Sequence, residues 1–472
     1  MFEKHDLVKI VLIAILLTIV LTWVIPYGYF SGSEFSDYGL SRQGLADILL
    51  SGVYSANFFL QQLLFIAFLG IFYGVISKTS GYKALVNNIA KKFKGKEKAF
   101  VLIASLFITL LTTFLSQSFV VLIFVPIIIS IVNKLGLDKI TAFLCTFGSM
   151  LIGIIGATYG TEGLAYFISY LNYYQEVKIT LELGVRFGIL AFAFFVFNFF
   201  TIRHVKKVLM AKKKEEKFDD LFAVEEVSSK KVKTWPMILF YIVILVFVVL
   251  GYVKWNDNFG ITVFDNFHKW LTELAIGDYT IFKYIIGNNA AAFGGWDLYV
   301  INIVLAIIML ISIVIYKIKF DDLIDNASEG LKKMLKPMAI LLLLYMIFVI
   351  IYWAPFTVTI SNWLLKFSEG FNPFLTSISA FISSLFHIDF GYTGYVLGDV
   401  MVNKFGESFN IAFVIYVVIN GLVQIIAPTS ALVMLGLSYL EIPYKKWFKH
   451  IWKFFVIMLI FAIAIFALLT YL

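Results

Sequence analysis

The chain has 472 residues, of which 61% are hydrophobic and 14% charged, against about 25% charged in soluble proteins. With a mean hydropathy of +0.91, a soluble fold of this length cannot hide the apolar surface. That excludes a soluble enzyme, a nucleic-acid-binding module and a disordered chain, and leaves an all-α polytopic membrane protein, since a barrel would show short alternating segments rather than apolar runs near 20 residues. The net charge of +8 is read as a Lys excess in cytoplasmic loops, not as a nucleic-acid footprint. One cysteine, Cys145, and five histidines provide neither a disulfide framework nor a metal cluster.

Lys4 and Lys9 precede an apolar run over 10–25 that ends in Pro26-Tyr27-Gly28-Tyr29 without a small-residue cleavage site. It reads as an uncleaved first helix. Further crossings are expected over 57–77, 140–171, 184–202, 237–252, 298–316, 338–354, 409–440 and 447–470, nine in all. The stretches 99–132 and 373–400 are apolar but interrupted halfway by polar residues. The amphipathic, Lys-bearing stretches 83–94 and 320–335 are expected to lie flat on the inner surface. The segment 203–236 carries ten basic and six acidic residues and reads as a solvated cytoplasmic linker. The chain so divides into a first transmembrane half, 1–203 (repeat core 57–203), a linker, 204–236, and a second half, 237–472 (repeat core 338–472).

With the N-terminus in the cytoplasm, and with 99–132 and 373–400 each entering and leaving on one side, 30 of the 38 Lys and Arg fall inside. A straight crossing by either stretch would flip every later loop and destroy that bias. The charge pattern therefore predicts two re-entrant hairpins, a cell-membrane location and an outside C-terminus. Local matches run in order through both halves: Phe114-Leu115-Ser116 with Phe381-Ile382-Ser383, Asn133-Lys134 with Asn403-Lys404, Ala142-Phe143 with Ala412-Phe413, and Ser169-Tyr170-Leu171 with Ser438-Tyr439-Leu440. The topology makes these repeats inverted, the architecture of secondary transporters with a site near the membrane midplane.

Irregular backbone at membrane depth is tolerated where it is buried in protein or lines a wet cavity. Four such places pair across the repeat: the tip with Ser116, Gln117 and Ser118; the tip with Ser383 and Ser384, followed by His387 and Asp389; the glycine-rich break with Thr158 and Glu162; and the break with Thr429 and Ser430. Freed carbonyls there can hold a cation, with transient Na⁺ expected at Thr158 and Thr429, and restarting half-helices offer N–H groups to a carboxylate. The competing reading is that these hydroxyls bond back to their own helices. Glu162, His387 and Asp389 are candidates for proton coupling, against the alternative that they face water at a mouth or hairpin entrance. Asn420 and Gln424 either line the cavity or tie helices together. Arg42, Arg186 and Arg203 fall at loops or helix ends, so no bidentate arginine clamp on a substrate is expected. The fixed negative charges suit a cation or zwitterion better than a dianion.

The order of hairpin, Asn-Lys-x-Gly and broken helix resembles the ion transporter superfamily. Ile425-Ile426-Ala427-Pro428-Thr429-Ser430, followed by Leu440 to Trp447, is most similar to its anaerobic C4-dicarboxylate carrier-like branch. That branch includes proteins assigned as basic amino acid antiporters and lies near the aminobenzoyl-glutamate transporters. The resemblance implies inverted repeats, an elevator-like motion and a homodimer. The tips read Ser116-Gln117-Ser118 and Ser383-Ser384-Leu385 rather than the Ser-Asn-Thr of dicarboxylate/sodium symporter relatives, so the solute stays open between amino acid and C4-dicarboxylate. The expected activity is ion-coupled or exchange transport driven by Na⁺ or H⁺, without a bound cofactor. A passive channel, a structural membrane protein and an intramembrane enzyme are the alternatives; no H-E-x-x-H or G-x-S-x-G motif occurs.

Overall fold

A computed structural model describes residues 6–471 except 161, 212–217, 219, 225–231, 288, 289 and 369, and except the side chains of 162 and 286. Among the described residues, eight helices are long and apolar enough to span a membrane, or nine when α2 and α3, bent by 68°, count as one. Helix α1 (Asp6–Val24) is followed by an antiparallel hairpin, β1 (Gly28–Ser31) and β2 (Glu34–Asp37). Helices α2 (Leu45–Phe58) and α3 (Leu60–Ile76) meet at the bend. The expected crossing at 57–77 is thus the second part of a bent pair.

The first repeat runs from α3 through the short α4 (Ser80–Phe93) to hairpin arms α5 (Glu97–Phe114) and α6 (Val125–Lys134). Helices α7 (Lys139–Phe143) and α8 (Ser149–Ile154), joined by a π-helical turn, form the first half of the broken span. Helix α9 (Glu162–Leu171) is its second half, and α10 (Leu183–Met210) leads back to the linker. Then come α11 (Trp235–Tyr252), three short helices α12 (Trp255–Phe259), α13 (Val263–Glu273) and α14 (Ile281–Ile286), and α15 (Leu298–Tyr316). The second repeat repeats the order: α16 (Phe320–Trp353), the short α17 (Phe356–Leu365), hairpin arms α18 (Pro373–Phe386) and α19 (Phe390–Phe405), the broken span α20 (Phe409–Ile426) and α21 (Ala431–Leu440), and α22 (Tyr444–Tyr471). The fold is the inverted-repeat membrane architecture with two re-entrant hairpins.

Small residues let these elements touch backbone to backbone, the usual device where lipid supplies no hydrophobic drive. Where α3 crosses α16, a Cβ on Gly330 would stand 2.1 Å from the Gly70 carbonyl oxygen. The arms α5 and α18 pack on the broken spans of their own repeats, whereas α19 packs along α9 of the other. A Cβ on Gly394 would meet the Phe167 carbonyl oxygen at 2.8 Å, and one on Gly421 would meet Ile155 Cα at 2.8 Å.

Two surface expectations are corrected. The stretch 320–335 belongs to α16, which continues through Pro337 without a break; a proline missing one N–H bond is tolerated where neighbours pack closely. Helix α4 buries Tyr82, Leu85 and Val86 against α6 and α11 instead of lying free on the surface. The linker is not wholly solvated either. Asp220, Phe222 and Val224 are buried, Ser130 Oγ donates to Asp220 at 2.6 Å, and Asn133 Nδ2 donates to the Phe218 carbonyl at 2.9 Å.

Candidate functional site

Each hairpin turns where its first arm stops. Helix α5 ends as Leu115 becomes extended, and Ser116 N donates to the Tyr252 carbonyl at 2.8 Å. Helix α18 ends at His387, and Asp389 then caps α19 by accepting from Gly391 N at 2.9 Å. The second broken span restarts the same way: Ser430 Oγ accepts from Val433 N and caps α21.

These irregular places converge on one cavity of about 580 Å³. Its wall takes Gln117 and Ser118 from the first tip, Gly163 from the start of α9, Asp389 and Phe390 from the second tip, and Ala431 and Leu432 from the start of α21. So α9, α19, α21 and the 3-10 stretch Ser118–Phe124 that precedes α6 present their N-terminal ends to the same space. Asn420 and Gln424 of α20, and Gln61 and Gln62 after the α2–α3 bend, add amides. Apart from Ile154 and Ile388 the rest is aromatic, including Tyr166 and Tyr170 of α9, Tyr345 and Tyr352 of α16, and Tyr392 and Tyr395 of α19. Among the described residues, Asp389 is the charged residue on this wall, and neither lysine nor arginine lines it.

The sequence candidates therefore separate into two groups. Gln117, Ser118, Asp389 and Asn420 face the cavity. Ser384 stands behind Asn420, accepting from its Nδ2 at 3.3 Å, and Ser116 is buried behind the first tip. Ser383 is buried, and its Oγ has no partner among the described residues. Thr158 Oγ1 donates to the Thr113 carbonyl at 3.3 Å, and Thr429 Oγ1 donates to the Leu385 carbonyl. In each repeat the hydroxyl of the break so caps the penultimate carbonyl of the first hairpin arm. His387 is held at both ring nitrogens, 2.8 Å from Thr357 Oγ1 and 2.8 Å from Thr393 Oγ1, and does not line the cavity. The Glu162 side chain lies outside the described residues.

Arg186 carries more than its position at a helix end suggests. Its side chain is fully buried. Nη1 donates to the Ala157 carbonyl at 2.9 Å, Nη2 donates to the Ile179 carbonyl, and the guanidinium stands 5.5 Å from the Phe413 ring centroid. In the second repeat Trp447 Nε1 donates to the Ile425 carbonyl at 3.0 Å and the Tyr444 hydroxyl donates to the Ile426 carbonyl. Trp447 stacks near Phe143, with ring centroids 4.4 Å apart. Arg186 and Trp447 are each the fourth residue of the helix that follows the broken span, α10 and α22, and each reaches an aromatic ring of the opposite repeat. The tyrosine wall, Gln61, Gln62 and this role of Arg186 were not found from sequence. The available signal was the spacing of Tyr166 with Tyr170 and of Tyr345 with Tyr352 along single helix faces close to the breaks.

Comparison with known proteins agrees with a transporter. No curated protein matches the chain. Among solved structures, the Alcanivorax borkumensis YdaH transporter, described as having an unusual topology, aligns over 99% of this chain and 98% of its own at 11% identity and a TM-score of 0.40. Neisseria gonorrhoeae MtrF, described with a class of antimetabolite efflux pumps, aligns over 98% and 94% at 14% identity and a TM-score of 0.39. The family model of the C4-dicarboxylate anaerobic carriers, DcuC, matches residues 5–471, and the chain belongs to that family of membrane transporters.

Proposed function

We propose that the protein is a secondary active transporter that moves a small carboxylated solute bearing an ammonium group, of the amino acid class, by alternating access to the central cavity. One arrangement carries this reading: four segment N-termini and, among the described residues, one carboxylate, Asp389, face the same space. The N-termini offer N–H groups and positive dipole ends to the solute carboxylate. Asp389, the amides of Gln117, Asn420 and Gln424, and the tyrosine faces suit the ammonium end. A cavity of about 580 Å³ matches a small metabolite. The Lys and Arg distribution supports a cytoplasmic N-terminus in the cell membrane, and the motion is coupled to a cation gradient or to exchange.

The family description favours a second reading, a C4-dicarboxylate. Such a dianion would meet Asp389 on a wall without lysine or arginine among the described residues, which places the ammonium-bearing solute first. The test is counterflow in proteoliposomes preloaded with amino acids or C4-dicarboxylates. Saturable, stereoselective counterflow of an amino acid supports the first reading. Counterflow of dicarboxylates alone establishes the second, and non-saturable flux independent of the internal solute points to a channel.

A further inference from the structure

In inverted-repeat transporters the carbonyls freed by an unwound helix are where a coupling Na⁺ is coordinated. Here carbonyls at both breaks already have side-chain donors. Trp447 and Tyr444 close those of Ile425 and Ile426. Arg186 closes that of Ala157, together with that of Ile179. The two arrangements differ in charge, because the donors at the second break are neutral and the donor at the first is a cation.

The placement of Arg186 is hard to explain by its own helix. It lies in the first turn of α10, where the helix dipole disfavours a positive charge. It is fully buried, and none of the ion pairs among the described residues includes it. A buried cation needs compensation. What it meets is what a bound Na⁺ would meet, carbonyl oxygens: that of Ala157, three residues past the C-terminal end of α8, and that of Ile179 before α10. The Phe413 face adds cation–π attraction. The backbone it holds is strained, with φ of +35° at Ala157 after +81° at Gly156. A Cβ on Gly156 would stand 2.7 Å from the Arg186 carbonyl oxygen, so break and helix start are built against each other.

We infer that Arg186 is a resident cation standing where a coupling Na⁺ would bind at the first break, and that this transporter therefore works without Na⁺. The inference rests on the transport reading for its second half and on the geometry of Arg186 for its first, and the two are tested separately. Thermal unfolding in nanodiscs needs no transport. The wild type should unfold at the same temperature in Na⁺ as in choline. Arg186→Ala should unfold at a lower temperature and regain part of the loss in millimolar guanidinium or Na⁺, but not in choline. Arg186→Lys should lie nearer the wild type than Arg186→Gln, which keeps N–H donors without charge. A wild type stabilised by Na⁺, an Arg186→Ala protein indifferent to small cations, or a Gln variant equal to or better than the Lys variant overturns the inference. Should Arg186→Ala fail to accumulate, the Lys and Gln pair decides. In proteoliposomes the wild type should show equal counterflow in Na⁺ and choline, and Arg186→Gln should lose at least about tenfold, the size of a lost charge-assisted contact. Wild-type counterflow that requires Na⁺ also overturns it. Absence of counterflow for every solute sinks the transport reading and leaves the unfolding test to decide the role of Arg186.

Discussion

The first and second breaks meet the same physical demand with different chemistry. Both interrupt a span, both place a threonine hydroxyl on the penultimate carbonyl of a hairpin arm, and both are closed by the fourth residue of the helix that follows the broken span. That residue rests on an aromatic ring of the opposite repeat, Arg186 on Phe413 and Trp447 near Phe143. The difference is a charge. The shared part is therefore the fold's requirement, since a freed carbonyl at membrane depth must find a donor; the unshared part, a guanidinium, is what function adds.

The largest expected effect tests the shared part. Trp447→Phe keeps a ring but removes the N–H to the Ile425 carbonyl at a fully buried site. An unsatisfied buried carbonyl plus a small cavity should cost about 2–4 kcal/mol, read as a lower midpoint of thermal unfolding in detergent. An unchanged midpoint would mean that the break needs no fixed donor, and the parallel with Arg186 would fail. Next is Asp389→Asn. The amide oxygen still caps α19 by accepting from Gly391 N, but the charge facing the cavity is gone. Solute affinity should fall by roughly 10–100-fold, the size of a hydrogen bond to a charged group, with unfolding temperature little changed. A rise in dicarboxylate affinity in the same variant would favour the second solute reading.

Smaller still is the matched pair Thr158→Val and Thr429→Val. Each removes one hydroxyl donor from one arm carbonyl, at about 1 kcal/mol apiece. The repeat predicts similar losses, measured as two unfolding midpoints. A loss at only one break would show that the symmetry seen in the hydrogen bonds is not energetic.

The parts of this fold that were legible in the sequence are those with a local cost. Polar tips inside apolar runs, a glycine-rich break around Thr158 and a Pro-Thr-Ser break at Thr429 all announce irregular backbone where lipid forbids it. The Ala142-Phe143 and Ala412-Phe413 match carried the repeat, and it turns out to carry the two rings that receive Trp447 and Arg186. What stayed hidden depends on juxtaposition. Tyr166, Tyr345 and Tyr392 lie on three helices, and each alone is indistinguishable from an ordinary packing or interfacial aromatic. Arg186 reads as a loop-end cation until Ala157 and Ile179 are brought to it. The hydroxyls of Thr158 and Thr429 carry a further contact that residue type does not show: the tertiary structure turns their donors to hairpin carbonyls.

The smallest effect concerns what docks on the two hairpins. On one face the linker docks on the first hairpin through Ser130 and Asn133; on the other, the β-hairpin docks on the second through Gly32 N and Asp399 at 2.6 Å. Burial pushes the Asp220 carboxyl up from 3.8 to about 6, against the opposing bonds from Ser130 and Phe222. The docked state then holds a proton that the undocked segment releases, so docking is strongest below about 4 and weakens as pH rises to 6, with no further change above. Amide-exchange protection over Phe218 and Asp220–Val224 should fall several-fold across that window once the intrinsic pH dependence of exchange is removed. Asp220→Asn should remain docked and flat across the same range. A wild-type segment equally protected at pH 4 and pH 7 would mean that the carboxyl is not what the docking site reads, and the linker would then be held by Asn133 and apolar burial of Phe222 and Val224 alone.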